Sequence, residues 1–168
     1  TPRHESSAAS DVYKRQTAFS PRDVTLNIDF DNETINSPNT NIREYLEPIQ
    51  NWQKTGTFQL HLMKFYIWTD TPNVWVEQKD CGLTSYQNNL TLVGGWWNLS
   101  DWSRLATFAF DVVDKSKPVV IKRGDPLFRF AFYKEDDLTK TFDMVKSTPT
   151  LEQIRMFEKR VNLKNLIP

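Results

Sequence analysis

The chain has 168 residues, enough for one domain with a buried core. Its 21 Lys and Arg balance 21 Asp and Glu, so no overall field draws it to nucleic acid or to an anionic membrane surface. The 6 Trp, 5 Tyr and 11 Phe exclude a disordered chain, the 1 Cys excludes an internal disulfide framework, and no apolar run is long enough to span a bilayer.

Residues 1–16 are small and polar around Ser6-Ser7-Ala8-Ala9-Ser10, with no apolar periodicity. They lack the apolar h-region of a secretory signal peptide. The string SSAASDVYKRQ is similar to a translated sequencing-adapter fragment, so the segment is expected to be a non-native or disordered tail ahead of a single β-rich domain over 17–168. Without it, His61 is the domain's single histidine.

Val24, Leu26, Ile28 and Phe30 alternate with polar residues, which predicts a half-buried strand over Asp23–Phe30. Asp31–Asn41 reads as a loop. Thr40 or Asn41 is placed to cap a short helix over 41–52 carrying Ile42, Tyr45, Leu46 and Ile49, with Pro48 limiting its length. Strands are then predicted over Thr57–Thr69, Asn73–Gln78, Asn88–Val93, Leu105–Val113, Pro118–Ile121 and Leu127–Tyr133. Gly94-Gly95 marks a bulge or bend, and Arg123-Gly124-Asp125-Pro126 a tight turn joining two paired strands. At the end, Thr150 and Gln153 stand at capping-box spacing before Leu151, Ile154, Phe157 and Val161. That pattern predicts an amphipathic C-terminal helix packed on the sheet. The expected fold is mainly β: an antiparallel sandwich or jelly-roll-like domain with these two helices.

Catalytic signatures are missing. One domain histidine cannot build a cupin-type or non-haem iron site, and His61 reads as a strand-surface or core residue. There is no Gly-x-Ser-x-Gly elbow, phosphate loop or dinucleotide fingerprint, and Cys81 reads as a bystander thiol. Asp29, Asp31 and Glu33 alternate as oxygen ligands for a hard cation would, but a solvated strand end explains them as well. Lys115, Lys117, Lys122 and Arg123 straddle an expected hairpin, which gathers them without any phosphate ligand. Asn32, Asn89 and Asn98 begin glycosylation-type triplets without a secretory context. No catalytic residue, cofactor or metal is assigned.

The densest feature is Gly94-Gly95-Trp96-Trp97-Asn98-Leu99-Ser100-Asp101-Trp102. Trp96, Trp97 and Trp102, with Asn98 and Asp101, are the candidate ligand-binding residues. Large aromatics either close a sandwich core or offer a stacking platform for sugar rings or bases. Strand alternation puts Trp96 and Trp97 on opposite faces, so one is expected in the core and the other on the rim.

Two resemblances follow. The order of a Trp-rich segment, a strand, Lys117-Pro118-Val119-Val120-Ile121-Lys122-Arg123-Gly124-Asp125-Pro126-Leu127 and an aromatic strand resembles a family of proteins of marine T4-like phages, of cyanophage or pelagiphage type. It covers most of Asn41–Tyr133. That family carries no assigned activity, so the resemblance implies an origin and no site residue. Ile121–Leu127 also resembles the strand-end turn of the β-clip enzymes, the dUTPase and dCTP deaminase group. Their uracil motif is not met, since Asn98 and Asp101 stand at the Asp and Tyr places counted from Gly95.

The sequence therefore points to a phage-encoded accessory or virion-associated binding protein, in the infected bacterial cytoplasm or the virion, whose ligand it does not identify. It implies no membrane insertion or nucleic-acid role, and it leaves room for a homo-oligomer or a virion or host protein contact. The alternatives are a nucleotide-processing β-clip enzyme and a carbohydrate-binding module built on Trp96, Trp97 and Trp102.

Overall fold

The computed structural model describes residues 15–38, 41, 44–62 and 66–155. Two four-stranded antiparallel sheets dominate. The first has the order β1-β13-β7-β9, from Arg15–Phe19, Pro126–Lys134, Val74–Asp80 and Gly95–Asn98. The second has the order β4-β5-β11-β8, from Leu46–Pro48, Thr57–Leu60, Phe108–Val112 and Leu90–Val93. A three-stranded sheet of β12 (Val119–Ile121), β2 (Val24–Asp29) and β3 (Thr34–Asn36) and a β10–β6 pair (Arg104–Leu105, Tyr66–Ile67) complete the sandwich.

Alternation sets which residues meet in the middle. Phe58, Phe108, Phe110 and Phe128 are fully enclosed, and the Phe108 and Phe128 rings, 5.5 Å apart, join the two large sheets. Phe130 continues the aromatic stack from Phe128, with centroids 4.9 Å apart and edge-on geometry. β13 also buries Leu127 and Ala131 on its other face, where Arg129 is exposed and Tyr133 is half-buried.

Several local expectations change. Leu46–Pro48, expected within a helix over 41–52, is an edge strand paired with β5, where proline's missing N–H costs no ladder bond. The helical turn comes later as α1, Trp52–Thr55, and Lys115 caps its end by donating Nζ to the Lys54 carbonyl at 2.7 Å. A second short helix, α2 (Leu83–Gln87), and the strand β3 had no periodic signal. Arg15 and Gln16, read with the tail, are the first residues of β1 and pair with Ala131 and Phe130. The capping box at the C-terminal helix forms, with Thr150 N donating to Gln153 Oε1 at 2.8 Å and Gln153 N donating to Thr150 Oγ1 at 3.2 Å. Its described apolar residues do not pack on the sheet, since Leu151 and Ile154 are exposed; Phe157 and Val161 lie outside the described residues.

Neither expected pairing around the basic residues forms. β11 pairs with β5 and β8 while β12 pairs with β2, so the intervening loop crosses between sheets. The loop is held by Asn89, whose buried amide donates to the Asp114 and Lys117 carbonyls at 2.9 Å and accepts from Asp114 N at 2.7 Å. That amide has no room or valence for a glycan. The Gly124 turn likewise carries the chain from β12 to β13 in another sheet, with φ +88 as a left-handed turn requires. Asp125 Oδ2 fastens it by accepting from Asn88 Nδ2 at 3.0 Å and Lys122 N at 2.8 Å.

Candidate functional site

The geometry of β9 follows from its register on β7. Val76 lies opposite Trp97 and Glu77 opposite Trp96, so the first indole enters the core and the second leaves it. Trp97 is 6% exposed and meets Phe130 edge-on, whereas Trp96 is 56% exposed. Gly94 permits the approach to β7, because a Cβ there would lie 2.7 Å from the Gln78 carbonyl oxygen.

On the outer face, Trp96 stacks on Tyr133 with ring centroids 5.0 Å apart and planes at 29°. The Tyr133 hydroxyl donates to Glu77 Oε2 at 3.0 Å, and Lys79 pairs with the same oxygen at 2.8 Å. Burial and the hydrogen bond to Glu77 push the Tyr133 phenol up, while the Glu77 partner pushes the Lys79 ammonium up. Trp75, on the same face, donates Nε1 to Glu135 at 3.2 Å. The outer face is thus an aromatic strip with a carboxylate pinned beside it. Trp75, Glu77 and Tyr133 were not singled out from sequence; the signal was their shared parity on strands whose pairing the sequence did not reveal.

The other sequence candidates play different parts. Asn98 Oδ1 accepts from Ser100 N at 2.9 Å and Asp101 N at 3.3 Å, a turn-forming role that holds the end of β9. Asp101 is exposed beside it. Trp102 is half-buried and packs against the Arg104 guanidinium at 4.8 Å, which also sits 4.7 Å from the Trp97 ring. The three tryptophans therefore do not form one platform: Trp97 is core, Trp102 holds an arginine, and Trp96 alone stands open.

Behind Trp96, where the two sheets meet, lies a cleft of about 130 Å³. Its polar floor comes from Gln59, Gln78 and Thr107: Gln59 Nε2 donates to Thr107 Oγ1 at 2.8 Å, and Gln78 Nε2 to the Thr107 carbonyl at 2.9 Å. Arg104 and Trp97 form a wall. A larger, mostly apolar groove of about 460 Å³ lies elsewhere, between Ile67, Leu99, Phe132 and Phe142.

The other sequence features are committed to structure. Asp29 accepts from the Asn32 side-chain amide and from the backbone N–H groups of Asn32 and Asp31, which holds its carboxyl below the usual range, and no metal-ligand cluster occurs among the described residues. His61 Nε2 lies 3.2 Å from Glu47 Oε2. Burial pushes the Cys81 thiol up, opposite to what a reactive thiolate needs. No helix among the described residues is long and apolar enough to cross a membrane.

The chain matches no family model, no curated protein and no solved structure.

Proposed function

We propose that the chain is a binding module of the phage accessory or virion-associated kind, and that it takes carbohydrate on the outer face of β9, β7 and β13. The observation that carries this reading is Trp96, a large apolar ring left 56% exposed while Tyr133 supports it from one side. A rigid, half-backed indole is suited to the apolar face of a sugar ring, and the neighbouring Glu77 carboxylate accepts hydrogen bonds from hydroxyls. The resemblance of Gly94–Phe132 to marine phage proteins supports the setting, in the virion or the infected cell. Binding fits the residues better than catalysis, because the titratable groups on this face are tied into fixed hydrogen bonds.

Affinity electrophoresis in gels containing soluble polysaccharides tests the proposal. Retardation of the wild-type chain by at least one polysaccharide, lost in Trp96→Ala, is expected. Equal mobility of the two proteins in every gel sinks the carbohydrate reading, and turnover of a deoxynucleotide with Mg²⁺ would favour the β-clip enzyme instead.

A further inference from the structure

The cleft behind Trp96 holds a cation that its surroundings do not neutralise. Arg104 is half-buried, and burial alone pushes its guanidinium below the ordinary value. None of the residues lining the cleft is acidic, and among the described residues no carboxylate pairs with Arg104. Its contacts with Trp97 and Trp102 are to ring faces, and among the described residues the guanidinium N–H groups have no hydrogen-bond acceptor. Ring contacts compensate only part of the cost of half-burying a cation that has no carboxylate partner.

A second observation is the polar floor. Gln59 and Gln78 each commit one amide hydrogen to Thr107 and keep another, together with a carbonyl oxygen, for a guest. Donors thus outnumber acceptors in a space of about 130 Å³, room for about four water molecules.

We propose that this cleft is an oxyanion site that takes one carboxylate or phosphate group, with Arg104 supplying the charge and the two glutamine amides supplying further donors. The planar guanidinium suits either group through paired N–H bonds. The site uses residues on the inner side of β9 and does not depend on the carbohydrate reading of the outer face.

The full chain is titrated with sodium phosphate, sodium glucuronate and glucose at constant ionic strength held with sodium chloride, following tryptophan fluorescence. A saturable response to phosphate, glucuronate or both is expected, with none to glucose over the same range. Which anion responds distinguishes the source of the oxyanion. Arg104→Gln should weaken that response at least about tenfold. Gln59→Leu removes an amide from the floor and should weaken it several-fold, so the test survives if the Arg104 variant fails to fold. Oxyanion binding that persists where no polysaccharide binds leaves this site standing while the outer platform falls. No saturable response to either anion, or one undiminished in both the Arg104 and Gln59 variants, overturns the proposal.

Discussion

The inner and outer faces of the β1-β13-β7-β9 sheet are made from alternate residues of the same strands, yet they have opposite physical characters. The inner face is a stack of Phe128, Phe130 and Trp97 closed against β11. The outer face has aromatics as well, in Trp75, Trp96 and Tyr133, but each is partly or fully open and interleaved with Glu77 and Lys79. Aromatic content alone therefore does not distinguish a core from a contact surface. Pairing parity does, and Trp96 and Trp97 show it at adjacent positions.

Truncating the two neighbouring indoles has the largest expected effect. Trp97→Ala should cost about 3–5 kcal/mol, since it removes a buried side chain from a packed wall. That corresponds to a fall in Tm of roughly 10 °C in a thermal melt. Trp96→Ala should remain within about 0.5 kcal/mol of wild type by the same measurement. Similar losses at both positions would mean that the two faces are not different in kind.

Gly94 sharpens the comparison, because it lets β9 settle on β7 in the register that separates the two indoles. With the Gln78 oxygen 2.7 Å from a Cβ at this position, Gly94→Ala should cost about 1–3 kcal/mol by chemical denaturation. A neutral substitution would show that β9 does not lie so close. In the turn before β13, Gly124 has φ +88 with open space around it. Gly124→Val should therefore lose about 1–2 kcal/mol through backbone strain alone, without a clash.

The smallest effect belongs to the exposed carboxylates. The Lys117 ammonium, with the Ser116 hydroxyl and N–H, holds the Asp114 carboxyl well below the usual range. A carboxyl depressed in the folded state contributes stability above its unfolded value, near pH 4, that is lost as pH falls further. Asp114→Asn should lower Tm slightly on the neutral plateau and flatten the acid limb, so that the two curves draw together as pH falls below about 4. An acid limb parallel to that of the wild type would show that this ion pair does not couple to folding.

Much of the fold was legible in the residues. Period-two alternation marked β2, β7 and β13, the same parity separated Trp96 from Trp97, and Thr150 with Gln153 marked a helix start. These are local signals, carried by neighbours a few positions apart. The candidate site was legible only at Trp96. Arg104 carried no signal, because a lone arginine in a chain of balanced charge stands out only when its surroundings lack a carboxylate. Gln59, Gln78 and Thr107 are ordinary polar residues until β5, β7 and the link between β10 and β11 bring them together.

Local pattern was enough for the β class, the parity of β2, β5, β7, β11 and β13 and the turn at Gly124, because side-chain alternation and backbone steric limits act within a few residues. The tertiary structure decided which strands pair, that the loops after β11 and β12 cross between sheets instead of closing hairpins, and that Leu46–Pro48 is an edge strand. Those outcomes depend on hydrogen bonds and burial between residues far apart in the chain. The Asp125 carboxylate that fastens the Gly124 turn to Asn88 across 37 positions is one of them, and it has no counterpart in any local pattern.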